Sequence, residues 1–152
     1  MSKLSARQWL ARNRSIVLAT LTCLVLTLPQ SAHPQTNVSG TISTNTTWNT
    51  SGSPYIVVGP TSVSSGVTLT IDPGVEVRFD GVYELVINGV LDAQGTSSSF
   101  IVFTSNKSSP DYGDWGDIRF TDTSVDNSCI IKNATITFAG TGVKISDASP
   151  RI

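Results

Sequence analysis

The chain has 152 residues, with ten Lys and Arg against eleven Asp and Glu and a formal charge of −1. Its charged fraction is 14% and its hydrophobic fraction 39%. That length and balance suit one folded domain and argue against a highly charged disordered chain. Ser, Thr, Gly and Asn abound, a composition expected of a β-rich protein with many turns.

Lys3, Arg7, Arg12 and Arg14 form a basic front, Ile16 to Leu28 is an uncharged apolar run, and Pro29-Gln30-Ser31-Ala32 breaks it. This order reads as a secretory signal peptide over residues 1–32, cut after Ala32. The run falls short of the roughly 20 apolar residues a membrane-spanning helix needs, so no stable span is expected once it is removed. An uncleaved anchor is the rival reading. Cys23, preceded by Thr20-Leu21-Thr22, does not look like a lipid-attachment site.

Cleavage would remove four of the ten basic residues and no acidic one, leaving a net charge near −5. That disfavours nucleic acid, which calls for a basic patch, and is compatible with an extracellular surface or with cation binding; the signal peptide is what implies a secreted or cell-surface product. His33, the sole histidine, sits at the cleavage site, so zinc ligation and a Ser-His-Asp triad are excluded. Cys129 would be the only cysteine left. No intrachain disulfide can form, and its setting between Ser128 and Ile130 reads as a small buried hydrophobe.

Residues 33–54 form a polar leading edge, anchored by Val38, Ile42 and Trp48, with one or two short strands. Tyr55-Ile56-Val57-Val58 is the first strong strand, with Gly59-Pro60 as its expected end. From there to Ile145 the chain repeats one pattern. Val67–Ile71, Val75–Phe79, Leu85–Ile87, Ile101–Phe103, Ile118–Phe120 and Ala134–Phe138 each carry an apolar residue at every second position. Period two gives each strand one buried and one exposed face. Between the strands lie turn formers rather than helices. Asp72-Pro73-Gly74 joins a fixed φ to a residue that tolerates positive φ, which bends the chain sharply. Asn88-Gly89 is a hairpin signal taken alone, but its neighbours lack hairpin chemistry and a coil corner is preferred.

The pattern recurs at a period in the low twenties. Leu69 has a counterpart in Leu91, Phe79 in Phe103 and Ile118 in Val143. Such a period is one turn of a β-solenoid whose coils occupy residues 55–152. Ser105 to Asp114 breaks the spacing as a loop inserted on one face.

The runs Leu91-Asp92-Ala93-Gln94-Gly95-Thr96, Phe100 to Ser105, Asp114 to Phe120 and Cys129 to Gly140 resemble the right-handed parallel β-helix of exported bacterial and archaeal surface proteins. Gly66 to Val75 resembles the opening coils of the same group. This fold is shared with the pectin-lyase superfamily, and the resemblance covers about Val38 to Ile145. The order Trp115-Gly116-Asp117-Ile118 departs from the group's usual placement of Gly just before the Ile. The resemblance implies further coils. Val143-Lys144-Ile145 reads as a strand entering another coil, with no cap in Ser146 to Ile152. The expectation is an all-β solenoid of few coils, incomplete at its C-terminus, with an open last rung prone to self-association.

The fold alone assigns no activity, since it carries lyases, hydrolases, adhesins and structural proteins. Asp111, Asp114 and Asp117, in and just after the inserted loop, offer oxygens that calcium would use, but calcium takes six to eight and the spacing matches no known calcium loop. A solvated acidic loop, with no cofactor, is the preferred reading. Tyr112 and Trp115 share the segment and could stack on sugar rings, so Tyr112 to Asp117 is the best ligand-contact guess. Against it, Trp115 is expected to fold over a corner and pack. Arg78 and Arg119, each flanked by apolar residues, read as outward charges that blunt aggregation. No catalytic set emerges. The functional expectation is a non-enzymatic exported scaffold or surface segment, with polysaccharide or cell-surface components as partners. The alternative is the N-terminal part of a polysaccharide lyase or glycoside hydrolase whose catalytic coils lie beyond residue 152.

Overall fold

A computed structural model describes residues 34–152; the expected signal peptide, Cys23 and His33 lie outside the described residues. Twelve strands run through it in five coils. The first coil holds β1 (Thr36–Ile42) and β2 (Thr46–Trp48), and the second β3 (Tyr55–Val63) and β4 (Thr68–Ile71). The third holds β5 (Glu76–Phe79), β6 (Leu85–Ile87) and β7 (Val90–Gln94), and the fourth β8 (Ile101–Ser105), β9 (Trp115–Phe120) and β10 (Ile130–Lys132). The fifth holds β11 (Ala134–Ile136) and β12 (Ala139–Ile145). No helix among the described residues is long and apolar enough to cross a membrane.

Every strand pairing is parallel, which requires the chain to travel once round before each strand meets its neighbour. Three columns result. The first halves of β1 and β3 lead to β5, β8 and β11; their second halves lead to β6, β9 and β12; the third column is β2, β4, β7 and β10. Alternation then sends one side chain in two to a shared axis. Ile42, Val63, Ile87, Phe120 and Ile145 stack in one register, and Trp48, Ile71, Ala93 and Ile131 in another. Leu69, Val77, Leu85, Leu91, Phe103, Ile118 and Phe120 are all 0% exposed. Cys129 is buried and free, and burial pushes its thiol pKa up.

The expected pairs Leu69 with Leu91 and Ile118 with Val143 are neighbours in the ladder. The pair Phe79 with Phe103 is not: Val77 faces Phe103, and Phe79 faces Ser105. The corner at residues 95–100 has six residues against four at 72–75, and a slip of two residues keeps the buried face while moving the partner. Nor does the first strong strand stop at Gly59-Pro60, since β3 continues to Val63. The ladder passes from Val57 to Thr61 without using the residues between, so the N–H that Pro60 lacks removes no strand bond. Asn88-Gly89 is a corner, not a hairpin, because β6 and β7 lie in different columns.

The tail also differs from the expectation of an uncapped end. Arg151 bridges Ile130, donating its N–H to Cys129 O at 2.8 Å and accepting from Ile131 N–H at 2.7 Å. The tail thereby covers the third column. β11 and β12 remain the last strands of theirs among the described residues.

Candidate functional site

Residues 106–114 form the inserted loop, and one carboxylate organises it. Asp114 is 6% exposed. Its Oδ2 accepts from Ser105 Oγ at 2.7 Å and from the Asp111 N–H at 2.9 Å, and its Oδ1 pairs with Lys107 Nζ at 2.6 Å. The Lys107 bond first, then the Asp111 and Ser105 bonds, hold its pKa down to about 2. These oxygens serve the loop, so Asp114 is a buried knot rather than part of a solvated acidic surface. Asp111 is exposed, with Oδ1 accepting the Tyr112 N–H at 2.7 Å. The Tyr112 ring is 79% exposed, and its hydroxyl donates to Gly140 O at 2.7 Å.

Trp115 is 0% exposed and stacks on Phe79 with centroids 4.0 Å apart and planes at 4°. Its Nε1–H donates to Thr137 O at 2.8 Å. Both faces and the polar edge are spent on packing, leaving none for a sugar. Asp117 is 5% exposed, and its Oδ1 has no hydrogen-bond partner. Burial first, then the Glu84 charge, raises its pKa. Of the five candidates, then, only Asp111 and Tyr112 face solvent. Among the described residues, no group of three His, Cys, Asp or Glu side chains could hold a metal ion.

A better-formed concavity lies on the outer face of the second column, with a volume of about 530 Å³. Its floor follows the outward ladder Thr41, Ser62, Val86 and Arg119, each facing the next in register. Val82, Tyr83 and Glu84, from the link between β5 and β6, build one wall. Arg119 Nη2 meets Glu84 Oε2 at 2.6 Å, while Arg119 Nε is buried without a partner. Gly116 lets this wall settle: a Cβ there would come within 2.8 Å of Glu84 Cγ and 3.1 Å of Tyr83 O. The groove thus combines two small hydroxyls, an aromatic ring and an opposed pair of charges.

The sequence reading placed Arg119 outward but missed this groove. Glu84 and Arg119 meet only because Leu85 and Ile118 share a register, a step lengthened by the very loop that breaks the repeat. The outward alternation of both residues was the available signal.

A family model described as a pectate-lyase-like β-helix domain matches residues 40–149. Protein bark beetle of Drosophila melanogaster is 44% identical over 62 residues, which are 41% of this chain and 2% of that protein. The chain therefore spans only a small fraction of this relative. No solved structure matches significantly.

Proposed function

The chain belongs to the pectate-lyase-like β-helix family, and from that premise we propose that it is an exported, non-catalytic β-helix segment whose outer groove contacts carbohydrate. The groove along Thr41, Ser62, Val86 and Arg119 carries this reading. Its hydroxyls and the Arg119–Glu84 pair offer donors and acceptors to sugar hydroxyls, and Tyr83 offers an apolar ring surface. The basic front and apolar run at the N-terminus support export.

The non-catalytic part rests on how the outward charges are used. Arg78 is held by Glu76 at 2.9 Å and Arg119 by Glu84 at 2.6 Å. A proton-abstracting base must be free to reach its substrate, and glycoside hydrolysis needs two carboxyls flanking the scissile bond. Asp117, the carboxyl whose pKa is raised, is 5% exposed and does not line the groove.

Calorimetric titration of the full chain with acidic and neutral polysaccharides, alongside an assay for new chain ends, tests both parts. Binding without cleavage is expected, weakened about tenfold by Arg119→Ala, a loss of about 1.4 kcal/mol. Unchanged binding in Arg119→Ala would remove the groove from the reading, and newly formed chain ends would remove its non-catalytic part.

A further inference from the structure

Five Asn-x-Ser/Thr triplets occur, at Asn37, Asn45, Asn49, Asn106 and Asn133. The fold sorts them by which side-chain atom is already in use. Asn45 Oδ1 accepts the Thr68 N–H at 2.9 Å, and Asn49 Oδ1 accepts the Ser51 N–H at 3.1 Å. A backbone N–H can only meet an acceptor, so the amide nitrogen of each is the atom left to solvent. Asn37 is exposed beside the half-buried Val38. The other two are reversed. Asn106 Nδ2 donates to Asp80 Oδ1 at 3.0 Å, and Asn133 Nδ2 donates to Gly95 O at 3.0 Å. Both are half-buried, and Asn133 sits at φ 47° in a coil corner.

N-glycosylation acts on the nitrogen. The anomeric carbon of a lipid-diphosphate-linked oligosaccharide forms a bond to Nδ2, its C–O bond to the diphosphate breaks, and the lipid diphosphate leaves with the electron pair. One amide proton passes to solvent, and Oδ1 stays an acceptor. At Asn45 and Asn49 the corner bonds therefore survive modification. At Asn106 and Asn133 the glycan would project toward the protein groups that the nitrogen now meets.

We propose that Asn37, Asn45 and Asn49 are N-glycan acceptors and that Asn106 and Asn133 are not. All three acceptors lie in the first coil, where β1 and β2 are the outermost strands of their columns among the described residues. Glycans there would shield unpaired sheet edges from other chains. This inference rests on the export reading, because the donor is found only inside the secretory route.

Cell-free translation of the full chain with glycosylating microsomes tests it. Protease protection reports import, and an endoglycosidase-sensitive mass shift reports the glycan. A second arm places a proven leader ahead of Met1. The shift is expected in the native chain, lost in Ser39→Ala/Thr47→Ala/Ser51→Ala and kept in Ser108→Ala/Thr135→Ala. These changes remove the recognition hydroxyl and leave every asparagine in place. A protected chain without a shift, or a shift lost only in the second variant, overturns the acceptor assignment. An unprotected native chain overturns the export reading and glycosylation of the native protein with it. A shift in the leader arm then still confirms which asparagines are competent.

Discussion

Asp114 and Asp117 are three residues apart and respond to pH with opposite signs. Asp114 has its folded pKa lowered from 3.8 to about 2. Its stabilising contribution is full above the unfolded pKa and fades as pH falls from about 4 toward 2. Asp117 has its folded pKa raised above 3.8 by burial and by Glu84, which Lys144 and Arg119 only partly offset. The folded state holds its proton more tightly, so stability falls as pH rises from 3.8 through the raised value. Thermal unfolding across pH should therefore separate two variants. Asp114→Asn should lower Tm at pH 7 and approach wild type near pH 2. Asp117→Asn should equal or exceed wild type at pH 7 and lose that advantage below pH 3.8. Matching pH responses in the two variants would refute the assignment. The sequence placed the two carboxyls at the end of one loop and just after it but could not separate them, because Asp114 is defined by Ser105 and Lys107 and Asp117 by Glu84 from the preceding coil. Core residues are more legible, since alternation alone assigns a face. Leu69, 0% exposed, should cost about 2–5 kcal/mol as Leu69→Ala in chemical denaturation. The half-buried Thr68 should cost far less as Thr68→Ala, and the reverse order would mean the wrong face had been assigned.

At the scale of elements, corners decide which strands meet. Gly89 links β6 to β7 at a place where a Cβ would run into the carbonyl oxygens of Ser64 and Val67, both on the coil before it. Asn88 and Val90 donate their N–H groups to Val63 O and Val67 O at 3.0 and 2.8 Å, which pins the corner to that coil. Gly89→Ala must push two backbones apart, so a loss of about 1–3 kcal/mol is expected, the usual cost of overpacking. Equilibrium unfolding checks this, and an unchanged midpoint would show that the corner has slack. The strands themselves were legible because each carries its own period-two signal. Register was legible from Leu69 to Leu91 and from Ile118 to Val143. Across the corner after Gly95 and the loop before Trp115 the repeat length changes, and local alternation cannot reveal by how much. That hid both the Val77–Phe103 pairing and the groove floor at Arg119.

At the scale of the whole molecule, a solenoid is stabilised coil by coil, each resting on its neighbours. The middle coils are covered on both sides, and their inward residues from Leu69 to Phe103 are almost wholly buried. In the fifth coil Ala134, Ile136 and Val143 are only partly buried, and Phe138 and Ile145 are 38% and 48% exposed. A large apolar side chain left exposed forgoes about 1.5–3 kcal/mol of burial. The tail relieves only the third column, through the Arg151 bridge to Ile130. The 152-residue chain should therefore open locally at β11 and β12 before any other strands. Hydrogen exchange should be slowest near Leu69 to Phe103 and fastest from Ala134 to Ile145, with Ile131 better protected than Ile136 because its N–H is held by Arg151 O. The free edges of β11 and β12 also offer a template to another chain, so sedimentation should show association that grows with concentration. A monodisperse monomer with even protection through Ile145 would mean that these two strands are as stable as the middle of the stack, and that exposure of their apolar residues does not govern opening.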